Sequence, residues 1–358
     1  MPTQPQTFAE DLIRWYQDNK RDLPWRSTKD PYHIWLSEII LQQTRVDQGT
    51  PYYLKYVENF EDIHALASAT EDEVLRLWQG LGYYTRARNL HACAKEVSQR
   101  GGEFPRKYDE LLKLPGIGPY TAAAIASIAF DEPVAVVDGN VFRVLSRIFG
   151  IHENIADPKT RIVFVDHANR LMGGSSPSLF NQAMMEFGAT YCKPKRPDCE
   201  TCLFQEHCHA YENDAQGELP FKKSLKRIRT RNLHYIVAQY DNSLLMKKRA
   251  AGDVWQGLYD FPLMENDSLL DDEEAWDLIR SYGLSDFTII ESSKAYKHIL
   301  THQRINARFF RIELNDPNFV QEFKSKLDLE LFNQLEIDQI PKPRLIDRFL
   351  TDANFYLT

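Results

Sequence analysis

Apolar residues recur at helical spacing through the first 190 positions and switch to strand-like alternation after about residue 232. Leu12, Ile13, Trp15 and Tyr16 lie on one helical stripe, with Thr7 as the expected N-cap. Asp30-Pro31 opens a second helix carrying Ile34, Trp35, Ile39 and Ile40. Further amphipathic segments are expected near 71–79, 84–99, 117–130, 140–149, 158–172 and 177–189. Glycine and proline punctuate them at Gly80/Gly82, Pro115–Gly118 and Gly173-Gly174. The stretch 209–231 is polar and basic and reads as a linker. Beyond it, His234–Tyr240 and Ser243–Arg249 predict two strands around an Asp241-Asn242 turn. A helix follows from Asp272 and is expected to end at Gly283, and short strands are expected at 287–290 and 305–312. The pattern implies a multidomain α and α+β chain: an all-helical body and a smaller α+β domain.

At 358 residues, two domains are the natural expectation, and a 43% apolar composition suffices for their cores. No apolar run approaches a membrane span. The start, Met1-Pro2-Thr3-Gln4-Pro5-Gln6, has neither a basic nor an apolar signal region, so a cytoplasmic chain is expected. The net charge of −8 is spread over both halves. Any contact with a polyanion must therefore come from local basic patches or backbone amides. Lys222, Lys223, Lys226, Arg227, Arg229 and Arg231 form one basic run, most simply a solvated linker.

Four of the five cysteines, Cys192, Cys199, Cys202 and Cys208, follow C-x6-C-x2-C-x5-C. Thiolates at this spacing can close around a [4Fe-4S] cluster or a zinc ion. Disulfides are disfavoured because nothing marks the chain as secreted. Zinc sites usually show two C-x2-C pairs, and only Cys199 and Cys202 form one, which favours iron–sulfur. Cys93 lies in a helical pattern and reads as a core residue.

Leu114-Pro115-Gly116-Ile117-Gly118-Pro119-Tyr120-Thr121 reads as a hairpin between two helices. Its glycines permit positive φ, and the amides at the next helix start make a seat for a phosphate. Two carboxylates stand out. Glu38 lies in an otherwise apolar helix, where desolvation raises a carboxyl pKa towards the range of a general acid. Asp138 follows Val134–Val137 and opens a helix, which by itself suggests only an N-cap. Cleavage of an N-glycosidic bond requires such a pair: an acid to protonate the leaving base and a carboxylate to stabilise the cationic sugar. Gln42-Gln43 at a helix end, and Tyr83-Tyr84 after Gly82, are the kind of groups that wedge into a base stack.

The hairpin, Asp138 and the cysteine spacing together resemble the helix-hairpin-helix DNA glycosylases of the endonuclease III superfamily, over roughly residues 8–210. Within it, Leu36–Val46, Gly80–Arg86 and Val137–Val141 resemble adenine DNA glycosylases of the MutY type, and Trp255–Pro262 resembles the opening of that family's Nudix-like domain. The resemblance implies a glycosylase domain over 1–213 with its iron–sulfur loop at 192–208, a basic linker over 214–231 and a lesion-recognition domain over 232–358. Lyase members of the superfamily carry a Schiff-base lysine where this chain has Tyr120, so a monofunctional enzyme is implied.

By the same resemblance, Glu38 protonates adenine, Asp138 stabilises the sugar cation, and Tyr120 and Asn140 orient them. The implied DNA contacts are Gln43, Tyr83, Gly116, Gly118, Thr121, Lys193, Lys195 and Arg196. Leu300, Thr301 and His302 stand where the family has a Phe-Ser-His lesion-reading core: the hydroxyl is kept and the aromatic lost. His298 and His302 have no third metal ligand in view, and Asp272–Tyr282 lacks the glutamate-rich core of working Nudix hydrolases. The expected partner is double-stranded DNA carrying 8-oxoguanine:adenine or guanine:adenine mispairs. A nucleoid-associated monomer that touches no membrane is also expected. The competing readings are an endonuclease III-like pyrimidine glycosylase/lyase and a noncatalytic iron–sulfur DNA-binding protein.

Overall fold

The computed structural model describes residues 5–223, 228–281 and 287–355. Lys226 and Arg227 of the basic run, and the expected helix end at Gly283, lie outside them. The chain forms two compact units: Met1–Ser68 with Asn89–Leu225, and Ala69–Arg88 with Lys226–Thr358.

The first unit is helical. The Pro31–Ile40 helix is capped by the Asp30 carboxylate, which accepts from the Tyr32 amide. It is buried all round, as its near-continuous apolar sequence requires. The Pro5–Asn19 helix begins before Thr7, which is therefore inside the helix and not its cap. Phe8, Leu12 and Tyr16 of this helix pack with Val141, Val144, Leu145, Phe180, Met184 and Phe187 in one core. The apolar run before Asp138 is not a strand. The buried Asn181 side chain accepts from the Val136 amide at 2.9 Å and donates to the Val134 carbonyl at 2.8 Å. Asn169 accepts from the Ala135 amide. These amides replace a sheet partner and hold an extended segment that leads into the Gly139–Phe149 helix.

The region 209–231 is more structured than a linker. His209–Glu212 is a short helix, and Ala210, Ala215 and Leu219 form a small buried cluster.

In the second unit the strands are β1 (Arg229–Tyr240), β2 (Ser243–Lys248), β3 (Tyr259–Asp260), β4 (Leu263–Asn266), β5 (Phe287–Ser292), β6 (Tyr296–Ile299), β7 (Gln303–Leu314) and β8 (Glu330–Phe332). Asp241 and Asn242, at φ 47° and 58°, make the tight turn between β1 and β2. β1 and β7 pair in parallel along their length, Arg229 opposite Gln303 through Gln239 opposite Glu313. The Asp272–Ser281 and Pro317–Leu327 helices pack on one face with Ile236, Ala238, Phe310 and Ile312. On the other face Phe309 stacks between Tyr235 and Phe349 at centroid distances of 4.9 and 4.0 Å. Both faces of the central pair are thus covered, which explains why β1 is buried without alternation from Leu233 to Ala238.

Candidate active site

A cavity of about 180 Å³ in the helical unit is lined by Glu38, Tyr120, Asp138, Asn140, Glu186, Trp25 and both Arg21 and Arg26, among others. The Tyr120 hydroxyl donates to Glu38 Oε2 and lies 3.7 Å from Met185 Sδ. Burial pushes the Glu38 carboxyl up to about 7, against the lowering effect of the Tyr120 hydrogen bond; the charge of Asp138 adds to the rise.

Asp138 is the N-cap of the Gly139–Phe149 helix, and also faces the cavity. Its Oδ1 accepts from the Asn140 and Val141 amides at 2.9 and 2.8 Å, and its Oδ2 accepts from Asn140 Nδ2 at 2.8 Å. Burial raises its pKa, and these three donors oppose that rise. Three donors favour the ionised form of Asp138, whereas one favours that of Glu38. Asn140 is fixed in turn by Arg143, whose Nη2 donates to Asn140 Oδ1 at 2.8 Å and to the Gly188 carbonyl at 2.6 Å.

Glu186, Arg21 and Arg26 escaped the sequence reading. Glu186 is fully buried on the cavity wall. Burial would raise its pKa, but hydrogen bonds from Arg21 and Arg26 overturn that and hold it at about 2. Arg21 bonds it through Nε and Nη2 at 2.8 and 2.7 Å, and Arg26 through Nη2 at 2.6 Å. The partners lie 165 and 160 positions away, so no local pattern announces them.

The predicted hairpin lies between the Tyr108–Leu111 and Pro119–Phe130 helices. Only Gly116 uses its conformational freedom: φ is +71°, and a Cβ there would come within 2.6 Å of Asn89 Cβ. Gly118 has φ −92°, so positive φ is not its reason for being glycine. It is the N-cap of a helix with no side-chain cap, which leaves the first amides of Pro119–Phe130 available. A second, more open cavity joins Gln42, Gln43, Gly116, Gly118, Thr121 and Asp138 with Arg161, which the sequence reading missed. It shares Leu41, Tyr120 and Asp138 with the first. Gln42 Nε2 donates to Thr121 Oγ1 at 3.2 Å. Gln43, Tyr83 and Arg196 are all non-glycine residues at φ between 51° and 57°. Such backbone strain is concentrated at functional positions.

The four cysteines are free and line one pocket with Arg147. Arg147 donates to Cys192 Sγ at 3.5 Å and to the Lys193, Gln216 and Leu219 carbonyls. Arg143 Nε donates to the Cys192 carbonyl at 2.8 Å. A continuous set of bonds therefore runs from Asp138 through Asn140 and Arg143 to the cysteine loop. Lys193 is tied to Asp198 at 2.8 Å, while Lys195 and Arg196 are exposed.

In the second unit, Thr301 and His302 form the turn between β6 and β7, closed by the Leu300 amide donating to the Gln303 carbonyl at 2.8 Å. The Thr301 and Tyr83 hydroxyls are hydrogen-bonded to each other. His298 packs edge-on against Trp255. The Asp272 carboxylate bonds Ser292 and Arg308 and is thereby engaged in holding the sheet.

A pocket lined by two carboxyls whose pKa values burial raises, beside a helix-hairpin-helix, has the architecture of a base-excision glycosylase. Residues 36–165 match the HhH-GPD superfamily base excision DNA repair protein family, and residues 234–352 match the NUDIX domain family. The chain belongs to the adenine DNA glycosylase family. It is 34% identical over 307 residues to the adenine DNA glycosylase of Buchnera aphidicola subsp. Baizongia pistaciae, covering 82% of this chain and 83% of that protein. It is 31% identical over 345 residues to that of the subspecies Acyrthosiphon pisum, covering 96% of each. The Homo sapiens adenine DNA glycosylase is 42% identical over 231 residues, 61% of this chain but 42% of that longer protein. A thermostable thymine-DNA glycosylase structure aligns with TM-score 0.54 and 31% identity over 59% of this chain and 97% of its own. A trapped endonuclease III–DNA covalent intermediate aligns with TM-score 0.51 and 22% identity over 58% of this chain and 95% of its own, which establishes a common fold. Among the described residues, no helix is long and apolar enough to cross a membrane.

Proposed function

We propose that this protein removes adenine paired with 8-oxoguanine from duplex DNA by hydrolysing the N-glycosidic bond, as a monofunctional enzyme of base excision repair. The observation that carries this reading is the Glu38–Tyr120–Asp138 arrangement in one cavity. The flipped adenine enters that cavity. Burial raises Glu38 to about 7, so a large share of it keeps its proton near neutrality and gives it to N7, and the base leaves without its negative charge. Asp138 faces the deoxyribose and stabilises the oxocarbenium-like sugar. Water then completes the hydrolysis, leaving an abasic site. Tyr120 holds the Glu38 carboxyl and, being a phenol, forms no imine with the sugar. Glu186 and the two arginines that pin it make a fixed polar wall for the base edge.

The uncapped amides after Gly118 seat phosphates of the scissile strand, helped by Arg161, Lys195 and Arg196. Gln43 and Tyr83 fill the stack around the lesion. In the β6–β7 turn, the Thr301 hydroxyl and neighbouring amides read the N7 donor and C8 oxygen that distinguish 8-oxoguanine from guanine.

The four thiols suit a [4Fe-4S] cluster. Cys192, Cys199, Cys202 and Cys208 are free and line one pocket, and would supply its four thiolate ligands. Its role is to fix the 192–208 loop, and through Cys192 and Arg143 the Asn140 side chain; hydrolysis needs no electron transfer.

A substrate panel tests the function. Adenine should be released from 8-oxoguanine:adenine duplexes and, more slowly, from guanine:adenine duplexes, without strand cleavage. Equal release of oxidised pyrimidines, or β-elimination of the abasic product, would overturn the reading in favour of a pyrimidine glycosylase/lyase. Tight DNA binding with no base release would leave a noncatalytic iron–sulfur protein.

A further inference from the structure

Several cations of the second unit are paired with carboxylates of the same unit. Arg229 and Arg231 pair with Glu265, Arg249 with Asp253 and Asp260, Lys248 with Asp72, Arg308 with Asp272 and Arg311 with Glu291. Lys297 of β6 and Arg304 of β7 differ. Both are exposed, and neither has a carboxylate partner among the described residues.

They share one sheet face. Ile299 is directly opposite Arg304, and Lys297 lies two residues from Ile299, opposite Asn306. Residues paired across an antiparallel ladder point to the same side, and diagonal neighbours lie about 7–8 Å apart. On β1, Thr230 stands in register with Arg304 and is exposed too. Further along this same face the Asp272–Ser281 helix covers Ile236, Phe310 and Ile312. Towards the β6–β7 turn none of the described residues covers it, and Ile299 is 77% exposed. The inner limit of the bare area is marked by Asn306, which donates to Asn232 at 2.9 Å.

A bare sheet end with two unneutralised cations flanking one apolar side chain, in a chain of net charge −8, fits a polyanionic partner. The Thr301-His302 turn joins the two strands that carry it. We propose that this face is a seat for the sugar-phosphate backbone of duplex DNA. Lys297 and Arg304 each contact a phosphate and Ile299 lies against the sugar edge, docking the turn in register with the lesion. This rests on the glycosylase reading above, and extends it with a contact surface in the second unit.

Salt-dependent binding tests it. The dissociation constant of the full-length protein for an 8-oxoguanine duplex carrying an uncleavable adenine analogue is measured from about 50 to 200 mM salt for wild type, Lys297→Ala, Arg304→Ala and the double variant. Each lost phosphate contact should lower the slope of log K against log salt by about 0.9 and weaken binding at the lower salt by roughly tenfold. Arg280→Ala removes an exposed cation already paired with Asp277, and should keep the wild-type slope. A double variant with the wild-type slope and affinity overturns the proposal, as does an equal loss on Arg280→Ala, which would reveal only net charge. Thermal melts of each variant check that these exposed substitutions leave the fold intact. If wild type itself neither prefers the lesion duplex nor releases adenine, the glycosylase reading is what has failed.

Discussion

The Tyr120 hydroxyl donates to the Glu38 carboxyl in a cavity that also contains Asp138. The donor stabilises the charged form of Glu38, while burial, the larger effect, favours the neutral form and leaves the carboxyl at about 7. The rate of base release should therefore be flat below about pH 7 and fall roughly tenfold per unit above it, because the acid must be protonated. In Tyr120→Phe the lowering hydrogen bond is lost, so the descending limb should move to higher pH. A single-turnover pH profile checks this, and an unmoved limb would show that Glu38 is not the titrating group.

The same pKa has a signature in stability. A carboxyl whose folded pKa lies above its unfolded value of 4.5 binds more protons when folded. Its penalty is absent below pH 4.5, grows as pH rises, and is complete above 7. Over that window wild type should lose up to about 3 kcal/mol relative to Glu38→Gln. Thermal melts of the two proteins at about pH 5 and pH 8 measure the difference. Parallel behaviour would mean that the carboxyl is solvated.

Glu186 behaves in the opposite sense. Arg21 and Arg26 hold it at about 2, below the unfolded 4.5, so its contribution is present above 4.5 and is lost as pH falls towards 2. Removing the carboxylate leaves two arginines facing each other on the cavity wall. Glu186→Ala should cost about 3–5 kcal/mol in denaturant unfolding, far more than an exposed pair would. A cost under about 1 kcal/mol would place the ion pair in solvent.

Asp138→Asn separates capping from chemistry. An amide oxygen still accepts from the Asn140 and Val141 amides, so stability should change by about 1 kcal/mol or less. The negative charge facing the sugar is gone, and adenine release should fall by about 10²-fold or more. If rate and stability dropped together, Asp138 would be a cap and nothing else.

Arg143 bonds both Asn140 and the Cys192 carbonyl, which gives the cysteine loop a route to the site. Arg143→Gln should therefore lower the single-turnover rate while iron and sulfide content stay near four each per chain. Loss of iron together with rate would assign Arg143 to holding the loop alone.

Much of this was legible in the sequence where a local pattern carries the physics. Glu38 stands out as the carboxylate of an apolar helix, and the turn at Asp241-Asn242 follows from two residues that tolerate left-handed backbone. The role of Asp138 was ambiguous because it is an N-cap as well as a lining of the cavity. What stayed hidden depends on distant partners. Glu186 acquires its meaning from Arg21 and Arg26, and Arg143 from Asn140 and Cys192. The parallel β1–β7 pairing joins strands about seventy residues apart, and buries β1 on both faces, so its sequence lacks the alternation that marks a half-exposed strand. Thr7 misled because the helix starts two residues earlier at Pro5, a residue favoured at the first helical position.

Adenine release by Glu38→Gln in a single turnover, with enzyme in excess over an 8-oxoguanine:adenine duplex, tests the central claim most directly. Glutamine keeps the volume and can still accept from Tyr120, but has no proton to give to N7. The account predicts unchanged duplex affinity and a rate reduced by about 10²–10⁴-fold, with no pH dependence left near 7. A rate within a few-fold of wild type would contradict it, and would move the acid to another group.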